Sequence, residues 1–569
     1  MRVTLVIPPE IGSIDEERVE YLGLGYVAAY ARHAGYQVDI LDCKSTGLTH
    51  GQAVARILSL TPKLVGITAP FSFDLTSAVK LAQQLREYGF QGPVVVGGHP
   101  ATFSYRKLLE QYPVIDVVVR GEGEVTFLEF LRHYESKETW KDVAGIAYRQ
   151  DGQLVVTAPR PLVADLDSLP YPARDSADSH GSPVAVSMFQ AQGVEPGTVI
   201  LSSRGCPFLC TYCSVQAFYR ASSGRPWRCR SVRNVVEEIA ELVERWGVRS
   251  LRFSDDNFIG SCTEGRRRAE QLAIQLIERR WGVNFVIECR TADVDVPLFS
   301  LLKRAGLIGV NLGIETGVPR MLKRFNKHAT VEDNRNAISI LRDLGIDCHP
   351  NFILVDPETT VEELRENFTF LKETHLYLAQ NAMQILYNNR LGLFAGTPAR
   401  DHYVSRGGTS PWKAGQLAAD EQVIHRTLAT VLDFEDQDER VGDVFWVLER
   451  VMPELARRDG VLRQLERKLD RQNGAAAGVE PNGRAARNGN GLRPKIEHWR
   501  ANAGKVAFQL FEKVLVSAER GLLNREVAAD CRDRLLADVE RYDRLHFGMN
   551  VDALATTMMP GTAAVFQAQ

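Results

Sequence analysis

Long apolar runs are missing from this chain: nowhere do about 18 apolar residues follow one another, the length a helix needs to cross a bilayer. A membrane span is therefore not expected. Charge of one sign is missing too. The 569 residues carry a formal charge of -3 with no basic face standing out, so nucleic acid is not an expected partner. Cysteine is scarce: nine residues, an odd number and mostly scattered, which excludes a disulfide framework. The opening MRVTLVIPPE is too short in its apolar part, and too soon interrupted by proline, to be expected to act as a signal peptide. The cytosol is the expected compartment. No G-x-G-x-x-G follows the first apolar run, so a dinucleotide site is not expected either.

The composition that remains, 44% apolar and 24% charged, is that of an ordinary globular protein. Its length implies about two to four domains. Short β-branched runs alternate with helix-length stretches up to about residue 135: VTLVIPP from Val3, VDILD from Val38, LVGIT from Leu64, PVVVGG from Pro93 and DVVVRG from Asp116. This alternation predicts a doubly wound α/β domain over residues 1–140, with its ligand crevice at the strand C-termini. A connector is expected over 141–194, with GIAYRQDGQLVV reading as a hairpin. A second series over 195–400 contains about six strand-led units, the spacing of a partial (β/α)6 barrel of TIM type. Residues 401–569 read as mostly helical, broken by a Gly/Asn/Ala-rich stretch near 473–493 that reads as flexible linker.

Three of the nine cysteines fall within eight residues, in SSRGCPFLCTYCSVQ. Cys206, Cys210 and Cys213 come after a predicted strand at C-x-x-x-C-x-x-C spacing, so their thiolates can face one small volume. Three ligands are one short of a closed zinc site, and no fourth lies close by in sequence. A cubane iron–sulfur cluster with one iron left open suits three thiolates. Zinc completed by a remote residue such as Cys229 is the alternative.

This loop, with Tyr212 just before its third cysteine, resembles the signature of the radical S-adenosylmethionine superfamily. The resemblance covers roughly residues 195–400 and implies a [4Fe-4S] cluster on Cys206, Cys210 and Cys213. The open iron would chelate S-adenosylmethionine, and an electron donor of the flavodoxin or ferredoxin kind would supply the reductant. In FSDDNF, Asp255 and Asp256 stand where the superfamily receives the methionine amino group, though the spacing of the pair would equally suit a helix cap or a calcium-like loop. Arg290 could pair with the methionine carboxylate or make a surface ion pair. Glu315, ending a predicted strand, falls where relatives contact the ribose or methionine part. Arg228 and Arg230 look like an R-x-R-S element serving phosphate, substrate or the helix start.

GGHPATF from Gly97 and VVRGEGEVTF from Val118 resemble the cobalamin-binding domain that precedes the barrel in one class of these enzymes. Gly97, Gly98, Gly121 and Gly123 are the expected positions of close backbone approach. The D-x-H-x-x-G motif that ligates cobalt in other cobalamin domains is absent: His50 has Leu48 and Ala53 at the flanking positions. His99 is a possible cobalt contact, with a solvated or capping histidine preferred. The combined resemblance implies a Rossmann-like cobalamin domain before a radical barrel, and a methyltransferase acting on an unactivated carbon of a small, natural-product-like molecule. Oxidative cyclisation or rearrangement with the same cofactors is the alternative, and a non-catalytic sensor a further one.

Overall fold

A computed structural model describes residues 1–12, 20–175, 197–378, 386, 390–409, 417–476 and 492–558. The chain divides into two compact units. One comprises Met1–Gly313, Lys323–Cys348 and Gly392–Phe434; the other comprises Ile314–Leu322, His349–Leu391 and Glu435–Gln569.

In the first unit, β1 (Arg2–Ile7), β2 (Gln37–Asp42), β3 (Leu64–Thr68), β4 (Val94–Gly97) and β5 (Val117–Val119) form the parallel part of a sheet. Its full order is β2-β1-β3-β4-β5-β6-β7, where β6 (Ile146–Gln150) and β7 (Gln153–Val156) are the expected hairpin. That hairpin joins antiparallel to β5, so it extends the first sheet. Successive side chains of a strand point to opposite faces, and here each set enters a different core. Val6, Val65, Ile67, Val94, Val96 and Val118 pack with Leu75, Val79 and Leu108. Val3, Leu5, Ile7, Val95, Val117 and Val119 pack with Ala28, Phe127 and Phe130. Helices therefore cover both faces, which is why these strands are nearly continuous apolar runs.

The second sheet has the order β14-β13-β12-β11-β8, built from β8 (Gly197–Ile200), β11 (Ser250–Phe253), β12 (Asn284–Arg290), β13 (Leu307–Glu315) and β14 (Asp347–Phe352). β8, β11, β12 and β13 pair in parallel. A short antiparallel pair, β9 (Ser203–Arg204) with β10 (Arg228–Cys229), brackets the cysteine loop. The helices between strands show their causes in the sequence. In Val232–Trp246, Val235, Val236, Ile239 and Leu242 make one buried stripe; Ser231 accepts from the Asn234 N–H at its start, and Gly247 closes it in the left-handed region. The segment QNAMQILYN, expected as a sixth strand, lies outside the described residues apart from Leu386. So do 176–194 of the connector and 477–491 of the expected linker.

The second unit holds the helices Glu439–Ala476, Leu492–Glu519, Arg525–Phe547 and Val551–Met558 beside Val361–Glu373. Phe368 stacks on Phe508 at 3.9 Å, and buried Asp543 accepts from Arg458 Nε at 2.6 Å and Trp499 Nε1 at 3.1 Å. No helix among the described residues is long and apolar enough to cross a membrane.

Candidate functional site

The cysteine loop runs from β9 to helix Ser214–Arg220, with Cys206 and Cys213 half-buried, Cys210 buried and all three free. The segment Arg324–His328 fastens it. The Thr211 N–H donates to the Phe325 carbonyl at 3.0 Å, Thr211 Oγ1 to the Arg324 carbonyl at 3.0 Å, and Asn326 Nδ2 to the Leu209 carbonyl at 2.9 Å. Tyr212 meets the Phe325 ring edge-on at 5.2 Å. Asn326 and His328 both take φ of 50°, a left-handed conformation that costs energy outside glycine and marks a backbone held for a purpose. No motif in the sequence points to this segment.

Burial raises Cys213 to about 12, with the nearby Cys210 thiol adding to it. Burial likewise raises Cys206, while Asn257 Nδ2, 3.7 Å from its sulfur, and the Arg290 guanidinium favour its thiolate. Among the described residues no three His, Cys, Asp or Glu side chains converge tightly enough for a single metal ion. Zinc needs such convergence. A cubane takes each thiolate on a separate iron, and the donors here fit it: the Cys210 thiol is close enough to act on both Cys206 and Cys213, with a cation and an amide donor beside Cys206.

The two aspartates separate in role. Asp255 is buried, and its carboxylate accepts from the Ser202 N–H at 2.7 Å and from Ser202 Oγ and Ser203 Oγ at 2.5 and 2.6 Å, which ties β11 to the turn before the cysteines. Asp256 is half-buried; it accepts from the Gly205 N–H at 2.8 Å. Burial raises it to about 6, with Arg204 and Arg228 acting in the opposite direction. Of the pair, Asp256 is the one suited to an incoming ammonium group. Its neighbour Asn257 was not among the residues expected from sequence; only its place in the FSDDNF motif signals it.

Arg290 ends β12 buried, its guanidinium 3.4 Å above the centre of the Phe208 ring within the cysteine loop. Nη2 donates to the Lys327 and His328 carbonyls, the latter at 3.2 Å, while Nε is a buried donor with no hydrogen-bond partner among the described residues. Glu315 closes β13 in the second unit, buried and at φ 65°, with its carbonyl accepting from the Ile353 N–H at 2.5 Å. Along β11 and β12, Leu251, Phe253, Phe285, Ile287 and Cys289 are fully buried, as on the helix-covered side of a β/α barrel. The opposite face carries half-buried Arg252, Glu288 and, in register with Glu288, Asn311. It also carries Val286, buried in one apolar cluster with Leu22, Tyr26 and Val199, and it ends at Arg290.

Arg228 and Arg230 are structural ion pairs. Arg230 Nη1 meets Glu238 Oε2 at 2.5 Å, and both side chains are buried. Arg228 forms a two-pronged pair with Glu122, at 2.9 and 3.0 Å, and Glu122 also accepts from Arg204 Nη1 at 3.0 Å. Glu124 accepts from Arg204 Nη2 at 2.6 Å. Glu122 ends the first sheet's loop after β5 and is the N-cap residue of the helix Gly123–His133, whose first turn carries Glu124, so the two lie between and beside the glycines expected to approach a ligand. Among those glycines, Gly98 has φ 113° and an added Cβ would strike the Ala69 carbonyl; Gly121 and Gly123 lie against Ser222 and Val27. Gly97 is in ordinary contact with Val119. His99, next in the chain, stacks on Phe218 at 3.8 Å, directly after the cysteine loop, and burial lowers it to about 4.

Comparison with known proteins agrees with this arrangement. The B12 binding domain family model matches residues 16–131, and the Radical SAM superfamily model matches residues 200–371. The uncharacterized methyltransferase PH0819 of Pyrococcus horikoshii is 30% identical over 387 residues, covering 67% of this chain and 80% of that protein. The anaerobic magnesium-protoporphyrin IX monomethyl ester cyclase of Rubrivivax gelatinosus is 31% identical over 367 residues, 63% of each chain. The cobalamin-dependent S-adenosylmethionine radical enzyme OxsB, solved with aqua-cobalamin and S-adenosylmethionine bound, shares the fold. It superposes with a TM-score of 0.71 at 16% identity, over 98% of this chain and 83% of that one.

Proposed function

We propose, for a chain that belongs to the radical S-adenosylmethionine enzymes with a B12-binding domain, that it methylates an unactivated carbon of a small, natural-product-like molecule. The family's cofactors are a [4Fe-4S] cluster, S-adenosylmethionine and cobalamin. Bound together, they supply a carbon-centred radical for hydrogen abstraction and a methyl group for transfer.

The protein's part is placement. Cys206, Cys210 and Cys213 would each hold one iron, Asp256 the methionine ammonium and Arg290 its carboxylate through charge-assisted bonds. Tyr212 is assigned to the cofactor site by its loop position, while Glu315, for which the resemblance implies a contact with the ribose or methionine part, belongs to the second unit. Cobalamin is assigned to the loops at Gly97, Gly98, Gly121 and Gly123, where His99 stays neutral at physiological pH.

The observation that carries the reading is the junction of the two modules: Glu122, on the first sheet's loop, is bonded to Arg204, two residues before Cys206. The methyltransferase relative supports methyl transfer, and the cyclase relative supports oxidative cyclisation as the second reading. The deciding experiment incubates anaerobically reconstituted protein with cobalamin, reductant and methyl-labelled S-adenosylmethionine. Label in the cobalamin fraction together with S-adenosylhomocysteine is the expected result. 5′-Deoxyadenosine alone, with no label on cobalamin, would move the assignment to cyclisation or rearrangement.

A further inference from the structure

The loop Gly121-Glu122-Gly123-Glu124 stands out in the sequence for its glycines, yet its carboxylates make the longer reach. Glu122 Oε1 accepts from Arg204 Nη1 and Arg228 Nη2, both at 3.0 Å; its Oε2 accepts from Arg228 Nη1 at 2.9 Å and the Val163 N–H at 2.8 Å. Glu124 Oε1 takes the remaining fork of Arg204 at 2.6 Å. All four side chains are at most 8% exposed. The arginine faces are covered as well, Arg204 by the Tyr26 ring at 5.0 Å and Arg228 by the Tyr219 ring at 5.3 Å. Two carboxylates and two guanidinium groups interlock in a water-poor junction, with Asp256 close enough to feel both arginines, and a single missing charge there is weakly screened.

Gly205, the next residue after Arg204, makes this set consequential. It has φ 80°, an added Cβ would strike the Pro226 carbonyl, and its N–H is held by Asp256 at 2.8 Å. The chain between Arg204 and Cys206 therefore has no slack. A shift of the β5 loop, or a change in its charge, reaches the first cluster cysteine through one pinned residue.

We infer that Glu122, assisted by Glu124, is a positioning residue through which the cobalamin-binding module sets both the place and the reduction potential of the cluster. Together with Glu124 it offsets the charge of Arg204 and Arg228 and so keeps the cluster low in potential, as a strong reductant of S-adenosylmethionine must be. The potential of an iron–sulfur cluster depends on the net charge around it. Removing one buried carboxylate makes the junction one charge more positive, which favours the more negative, reduced cluster. The inference rests on the assignment of the cluster to Cys206, Cys210 and Cys213.

The test is an EPR-monitored redox titration of the reconstituted full-length protein, with iron and sulfide content measured in each sample. Glu122→Gln should retain the cluster and shift its midpoint potential upward. The neutral pair Glu122→Gln with Arg228→Gln should return the potential to the wild-type value, which loss of shape alone would not do. Glu124→Gln should give a shift of the same sign. An unchanged potential in Glu122→Gln at full iron content overturns the inference. If Glu122→Gln fails to fold, the neutral double variant decides: a folded protein with wild-type potential supports charge balance, and loss of the double variant as well overturns it. Wild-type protein that assembles no cluster would instead overturn the cluster assignment itself.

Discussion

The Arg290 guanidinium lies 3.4 Å above the centre of the Phe208 ring, so the end of β12 is clamped to the cysteine loop between its first and second cysteines. Phe208 orients the planar group, and the Lys327 and His328 carbonyls take up Nη2. Lysine keeps the charge but neither the fork nor the stacking. Arg290→Lys should therefore weaken S-adenosylmethionine binding by roughly 10- to 100-fold, the worth of a charge-assisted pair of about 1.5–3 kcal/mol. Titration calorimetry on reconstituted protein measures this, and an unchanged affinity would remove Arg290 from the site.

Each of Cys206→Ala, Cys210→Ala and Cys213→Ala should abolish the iron–sulfur absorbance and 5′-deoxyadenosine formation. Cys229→Ala should leave both intact, because Cys229 lies on β10 outside the loop. Loss of metal in Cys229→Ala, with zinc found in the wild type, would restore the zinc reading.

Burial holds His99 near 4, against about 6.5 in an unfolded chain. Between those values the unfolded chain binds the proton and the folded protein does not. Stability therefore falls as the pH drops through this window, by up to about 1.4 kcal/mol per pH unit from this residue. His99→Phe keeps the stack on Phe218 and removes the titration. Its denaturation midpoint should fall less steeply than the wild type's on acidification from neutrality, and equal slopes would contradict a buried neutral His99.

Gly98→Ala should be severe, since the residue sits at φ 113° with the Ala69 carbonyl where Cβ would go. A cost above about 3 kcal/mol is expected from strain and clash together. Gly51→Ala, in a helix with nothing within 4 Å of the added carbon, should be neutral or stabilising by up to about 1 kcal/mol. Melting temperatures of the pair separate the two positions.

The architecture was legible where the signal is local. Alternating β-branched runs marked β1 to β5 because each strand is buried on both faces, and the β6–β7 hairpin showed itself by its turn residues. Its attachment to β5 did not, because an edge strand's partner is not written in its own residues. Asp255 and Asp256 are indistinguishable as neighbours in the sequence. Only the fold separates them, closing the Ser202 and Ser203 hydroxyls on Asp255 and the Gly205 N–H on Asp256.

The sequence by itself determined the cofactor chemistry, because three thiolates at C-x-x-x-C-x-x-C spacing meet through a loop of eight residues whatever surrounds them. Only the tertiary structure decided how the modules are joined. Glu122 finds Arg204 across 82 positions of chain and Arg228 across 106. A charged pair in a buried junction needs its desolvation offset by hydrogen bonds and close contacts. Here the Val163 N–H and carbonyl and the Tyr26 and Tyr219 rings over the guanidinium groups provide them, and no stretch of sequence contains them all.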